Sequence, residues 1–363
     1  MRLNQCFLKY LEPHKVKFSY GTKVTNVLVD IKNGRKVAKK IIYEKDGKEQ
    51  SIDLTENDLV FVTNGSNTES STFGSQTTPA IMNTKPSGSW TLWKNLAKQD
   101  PSFGNPDVFI SDFDKTNWMS ATATTLDKKI PEYIRKISGR DPWSGRLVTG
   151  GIVTVKDSNW LMSFTMHRQP HFKAQKPNER VVWIYGLYSD SPGNYIKKPM
   201  KDCTGIEIAS EWLYHMGVPE NEIADLATHS VNTVPCMMPY VVSYFMPRTT
   251  KDRPKGVPEG SVNLAFIGNF VETKADTAFT VECSIRTARQ AVYEILNIDH
   301  GIPEVYGSAY DVRFMMKEAA CMLDGKKLTE LETPALKKAF ADGFLSKIKG
   351  TVIEELLKEY KLI

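Results

Sequence analysis

The segment Ser261–Leu296, SVNLAFIGNFVETKADTAFTVECSIRTARQAVYEIL, limits the possible folds more than any other part of the chain. Val262–Ile267 is a short, mostly apolar run that predicts a strand, and Gly268 breaks it. After a polar stretch, apolar residues at Val281, Ile285, Ala288, Val292 and Ile295 predict a helix that starts near Ala278. In α/β proteins a strand that ends in a glycine loop and then a helix brings backbone amides to a phosphate or a flavin at the carboxyl end of a sheet. The same pattern also describes an ordinary βα corner. A functional reading therefore needs a second loop of the same kind at the same sheet edge.

Asp58–Thr63 (DLVFVT) supplies one. Its nearly continuous apolar run predicts a central strand covered on both faces, and Asn64-Gly65-Ser66 follows it directly. The region before it predicts the end of an amphipathic helix at Phe7–Glu12, stopped by Pro13. Strands are predicted at Val16–Tyr20, Lys23–Val29 and Val37–Tyr43, with turns at Asn33-Gly34 and Asp46-Gly47. No G-x-G-x-x-G lies between a strand and a helix, and no G-K-S or G-K-T occurs, so the usual pyrophosphate seats are missing from the sequence.

The middle of the chain predicts a helix within Ser87–Asp100, another over Thr125–Ser138, and strands at Gly150–Val155, Asn159–Met166 and Val181–Tyr188. Thr165, His167, Gln169 and His171 have period-two spacing. On a strand they would share one face, as a polar row able to hold a carboxylate or a water, or simply as a solvent-facing edge. Two histidines without a third ligand nearby do not make a metal site. Helices are predicted at Glu207–His215 and Pro219–Ala227. The Met- and aromatic-rich stretch from Asn232 to Met246 suits either a core segment or the lining of a hydrocarbon tunnel. Helices at Val312–Leu323, Thr333–Phe344 and Thr351–Tyr360 close the chain. The last is amphipathic and flanked by lysines, fit to pack on the body, pair with a second subunit or rest on a membrane surface.

The five cysteines are scattered and form no CxxC, which argues against a disulfide framework and fits a cytoplasmic protein. A net charge of +5, with the basic residues dispersed, favours an anionic substrate or a weakly anionic surface over dedicated nucleic-acid binding. No apolar run has the ~20 residues that a membrane-spanning helix needs.

The runs DLVFVTNGSNTESSTFGS, SGRDPWSGRLVTGGIVTVKDSNW, RQPHF, CTGIEIASEWLYHMGVP, NTVPCMMPY and NLAFIGNFVET…TAFTVECSIRTARQAVY resemble the oleate hydratase family, once called myosin-cross-reactive antigens. The likeness spans essentially the whole chain. It implies FAD on a glutathione-reductase-like fold and addition of water across the cis double bond of an unsaturated free fatty acid, giving a 10-hydroxy fatty acid from oleate. By the same resemblance the flavin is expected to organise the site without being consumed in net redox chemistry.

By that resemblance Asn64, Gly65 and Ser66 form one flavin-facing loop and Gly268, Asn269 and Phe270 the other, although glutamine is more usual than Asn269. Thr277, Ala278 and Phe279 would begin the helix beneath the flavin. Thr165 and His171 match positions that hold the substrate carboxylate or line the flavin-side site, His167 stands where the family commonly has asparagine, and Gln5 belongs to a matching N-Q segment. Family members are longer at the amino end. Their glycine-rich fingerprint, and the glutamate and tyrosine proposed to handle proton and water, have no evident counterpart here. Glu272 and Asp276 are the nearest acids in a ligand-facing loop.

The expected architecture is thus α/β: a truncated FAD/NAD(P)-binding domain at residues 1–85 with its return strand and helix at 256–298, an inserted mixed-sheet substrate domain at 86–255, and a helical region at 299–363. The polypeptide alone is expected to hydrate poorly or not at all. A non-catalytic lipid- or FAD-binding remnant and a flavin oxidoreductase remain as alternatives, and a homodimer and peripheral membrane contact stay open.

Overall fold

The computed structural model describes residues 2–86, 88–273, 280–303, 305, 307–308, 311–323, 327–331 and 334–363. The chain divides into two compact units, the first made of residues up to 273 and 277–300, the second of 274–276 and 301–363.

The described residues of the first unit form three sheets. Strands β1 (Thr22–Lys32), β2 (Arg35–Lys45) and β3 (Lys48–Asp53) form an antiparallel meander. Lys32 pairs with Arg35 and Lys45 with Lys48, so each turn has two residues. Asn33, Gly34, Asp46 and Gly47 all have positive φ, as a two-residue turn that matches strand twist requires. Residues 16–19 form no strand, which corrects the expectation for Val16–Tyr20. There the chain leaves a short helix through Lys15 in the left-handed region and runs on irregularly.

Strands β4 (Val60–Thr63) and β11 (Leu264–Ile267) lie parallel, with Val60 opposite Leu264 and Thr63 opposite Ile267. Val60, Val62, Leu264 and Phe266 share a core with Val27 and Ala38 of the meander and with Leu92, Leu96 and Phe103. Asn263, fully buried, joins these parts. Its Oδ1 accepts the Ala38 amide at 2.8 Å, and its Nδ2 reaches the carbonyls of Ala38, Thr55 and Asp58 at 3.0–3.1 Å.

The third sheet is built from β5 (Thr72–Phe73), β6 (Trp118–Thr125), β7 (Val153–Thr154), β8 (Met162–Thr165), β9 (Arg180–Gly186) and β10 (Val231–Met238), in the order β5-β10-β6-β9-β8-β7. Every pairing is antiparallel, which corrects the expected mixed sheet. The sequence reading missed three of its strands, the two-residue β5 and the longer β6 and β10. In β6 the inward residues are Met119, Ala121, Ala123 and Thr125, and the two central alanines are too small to stand out as an apolar alternation. In β10, Pro235 argues against a central strand. It is tolerated because its carbonyl accepts the Gly74 amide on the side of β5, where the pairing is only two residues long.

Helix Gly205–His215 packs its Ile208, Ala209, Trp212 and Leu213 into the core of this sheet. Thr204 and Glu207 close a reciprocal capping box at its start. Gly205 is required there, because a Cβ would overlap the Thr233 carbonyl of β10. The expected helix over Thr125–Ser138 starts later, at Lys129, since Thr125 still belongs to β6.

The second unit has a small core of Ile348, Leu357 and Leu362, packed by Met316, Ala320, Phe344 and Tyr360. Leu357 is the buried residue of its closing helix, Val352–Glu359, while Val352 and Ile353 are exposed. Among the described residues no helix is long and apolar enough to cross a membrane.

Candidate functional site

The register of β4 with β11 brings Asn64–Ser66 and Gly268–Phe270 to one sheet edge at the same level. Between them lies a cleft of about 360 Å³ lined by Thr63, residues 65–68, residues 267–270 and Ser284. The two loops the sequence singles out are therefore neighbours, and they touch. Gly65 has φ +68°, and a Cβ on it would come 2.7 Å from Phe270 Cδ2 and 3.1 Å from Trp90 Cη2. Its lack of a side chain thus lets one loop close on the other. The buried Asn64 donates through Nδ2 to the Phe270 carbonyl at 3.3 Å, while its Oδ1 has no partner among the described residues.

Aromatic packing holds the floor of the cleft. Phe270 meets Trp90, Trp93 and Phe109 with ring centres 5.0–5.5 Å apart, and Trp90 Nε1 donates to the Ser66 carbonyl at 2.9 Å. The opposite side comes from helix Val281–Ile295. Its N-cap Thr280 accepts the Cys283 amide, and Ser284 donates to Asn269 Oδ1 at 3.1 Å. Thr287, one turn further on, accepts the Gly268 amide at 3.0 Å. This helix does not bury the stripe its apolar residues suggest. Cys283, Thr287 and Ala291 face inward, whereas Val281 and Ile285 are exposed. Small inward residues let the helix approach β11 closely enough for Thr287 to reach Gly268.

The residues present suit one end of a flat, polar-edged heterocycle. They offer left-handed glycines at two strand ends, side-chain hydroxyl and amide groups along the edge, and a volume within the ~300–1,000 Å³ typical of ligand sites. No carboxyl group lines the cleft among the described residues. Glu272, two residues beyond the lining residue Phe270, is held by Arg248 through two contacts of 2.6 and 3.2 Å. Asp276, Thr277, Ala278 and Phe279 lie outside the described residues, as does the side chain of Gln5.

The polar row at Thr165–His171 does not form as a strand face. β8 ends at Thr165, and the chain turns through a cis Gln169–Pro170 bond. Thr165 and Gln169 are buried, while His167 and His171 are exposed with ring centres 6.2 Å apart. The Thr165 hydroxyl pairs with Thr149 Oγ1 and the Gly151 carbonyl, both at 3.1 Å. Gln169 ties the turn to Val181 and Gln175. None of these residues lines the glycine-loop cleft. Thr165 is instead bonded to the loop bearing Arg140, Ser144 and Arg146, which line a second depression of about 440 Å³.

Burial pushes the Cys203 thiol up to about 12 and raises that of Cys236, so neither is a thiolate at neutral pH. Among the described residues no group of three or more His, Cys, Asp or Glu is placed to hold a metal ion. Sequence reasoning missed Asn263 and Thr287, whose roles depend on distant partners and leave no local spacing to read; Arg253, in a loop that reads as a solvated turn or an anion partner, is buried.

The profile of the MCRA family matches residues 3–293. Over 359 residues the chain is 52% identical to a protein named oleate hydratase from Streptococcus pyogenes serotype M49 (strain NZ131), covering 98% of this chain and 61% of that one. Over 263 residues it is 33% identical to one named linoleate hydratase from Lactiplantibacillus plantarum, covering 69% of this chain and 46% of that one. It thus spans less than two thirds of the length of either relative.

Proposed function

The chain belongs to the MCRA family, and on that premise we propose that it binds FAD at the Asn64–Ser66 and Gly268–Phe270 loops and serves the hydration of unsaturated free fatty acids such as oleate to 10-hydroxy fatty acids. The observation that carries the reading is the meeting of two glycine loops, about 200 residues apart in sequence, in one cleft at the carboxyl ends of paired parallel strands. FAD, when bound, would give the site its shape and electrostatics with no net redox change. Gly268 and Asn269 would face its ring system, with Ser284 holding Asn269 in place. Thr277 and Phe279 are proposed for the same site from the resemblance alone.

For the substrate head group we propose His167 and His171, whose exposed imidazoles can donate to a carboxylate, with Gln5 from the resemblance. Thr165 would brace them through Thr149 and Gly151. A homodimer and peripheral membrane contact through helix Val352–Glu359 belong to the same proposal.

Protonating an unactivated alkene requires a positioned acid. The absence of a carboxyl from the described cleft lining, with Glu272 committed to Arg248, favours a second reading in which this polypeptide by itself binds FAD and fatty acid without turnover. Incubation with FAD and oleate, followed by mass spectrometry, separates the two. 10-Hydroxystearate supports the hydratase, retained but unchanged oleate supports the binding form, and neither binding nor product refutes both.

A further inference from the structure

Arg253 lies behind the floor of the cleft, where no described carboxylate forms an ion pair with it. It is 5% exposed, and its guanidinium carbon is 5.6 Å from the ring centre of Phe109 and 5.9 Å from that of Phe270. One terminal nitrogen donates to the Tyr244 carbonyl at 2.7 Å, while Nε has no acceptor among the described residues. The charged and titratable groups around it are Arg248, Glu272 and Cys283. Arg248 and Glu272 pair with each other, so among the described acids none is left over as a dedicated partner for Arg253. Cys283 is the third residue of helix Val281–Ile295, whose amino end adds partial positive charge and whose Ser284 lines the cleft. A buried guanidinium without a carboxylate is strongly unfavourable unless something else supplies the opposite charge. Burial and the neighbouring Arg248 lower its pKa to about 10, which still leaves it charged at neutral pH.

We infer that Arg253 is the counter-charge for a ligand that becomes anionic in the cleft, and that it favours the reduced, negatively charged isoalloxazine ring over the neutral oxidised one. This rests on the flavin reading above. Adding two electrons and one proton to the neutral ring leaves one negative charge on it, and Phe270 separates that charge from Arg253 by a layer of low polarity. At an effective dielectric constant of about 20, a unit charge about 10 Å away favours its opposite by roughly tenfold. Arg253 therefore acts as a positioning residue through the field it sets, without touching the ligand.

The test measures FAD affinity by flavin fluorescence, then the midpoint potential by dithionite titration against a reference dye, for the full chain and for Arg253→Met and Arg253→Lys. The inference predicts that oxidised FAD binds all three with similar affinity. The reduced form should bind Arg253→Met about tenfold more weakly, a potential lower by about 30 mV for a two-electron couple, with Arg253→Lys close to the unaltered chain. Equal potentials in all three proteins overturn it. So does an equal loss of affinity for both redox forms in Arg253→Met, which would assign the charge to a phosphate. Failure of the unaltered chain to bind FAD refutes the flavin reading itself. Arg253→Lys keeps the charge, so it remains informative where Arg253→Met unfolds.

Discussion

Replacing Gly65 by alanine tests the closure of the two loops on each other. Two costs follow from the structure. Gly65 has φ +68°, a conformation that costs an L-residue about 1–2 kcal/mol. The new methyl would also lie 2.7 and 3.0 Å from the Phe270 ring and 3.1 Å from Trp90. Both rings are fully buried and packed against Trp93, so neither can swing away, and overpacking of this kind costs about 1–3 kcal/mol. The sum, about 2–5 kcal/mol, is a large part of an ordinary folding free energy. Urea denaturation followed by tryptophan fluorescence reports on the right place, since Trp90 and Trp93 are in the affected cluster. A double-mutant cycle with Phe270→Leu isolates the contact, because shortening the ring should recover about 1 kcal/mol or more of the Gly65→Ala loss. An alanine variant as stable as the parent, or purely additive losses, would refute the claim that Gly65 exists to let Phe270 in.

Further consequences follow from buried polar groups and from the turn at Pro170. Asn263→Ala leaves the Ala38 amide and three carbonyls without their shared partner, and should cost about 3 kcal/mol by urea denaturation. The Glu211 carboxylate is fully buried and accepts three amides, from Asn194, Tyr195 and Ile196, together with His215 Nε2. Burial opposes its ionisation, but these donors prevail and hold its pKa below the ordinary 4.5. Its contribution is therefore complete above pH 4.5 and is lost as pH falls through the folded value. Glu211→Gln should cost about 2–3 kcal/mol at neutral pH and distinctly less at pH 3, read as the difference in melting temperature. His171→Ala should weaken oleate retention at least severalfold while leaving retention of the uncharged oleyl alcohol unchanged. Equal losses for both would remove the imidazole from the head-group site.

What could be read in the sequence was what local chemistry determines. Asn33-Gly34 and Asp46-Gly47 announce two-residue turns because both central positions must be left-handed, and DLVFVT and NLAFIG announce buried strands because nothing in them interrupts the apolar run. The meeting of their loops could be expected as well, since each strand ends in a glycine. What could not be read depended on tertiary partners. β6 has small inward residues, and β10 carries a proline made harmless by a two-residue neighbour. The polar row failed as a strand face because the strand stops at Thr165, so period-two spacing no longer sorts Thr165, His167, Gln169 and His171 onto one side. In helix Val281–Ile295 the apolar stripe gave way to Cys283, Thr287 and Ala291, since close approach to β11 mattered more than apolar area.

The central claim, that the two glycine loops form one flavin site, is tested most directly by titrating FAD into the full chain and following quenching of its fluorescence. The account predicts saturable one-to-one binding, lost in Gly268→Val, whose side chain would enter the space beside Thr63 Cγ2, 3.1 Å from the new Cβ. Circular dichroism would confirm that this variant stays folded. No saturable binding, or equal binding by a folded Gly268→Val protein, would contradict it.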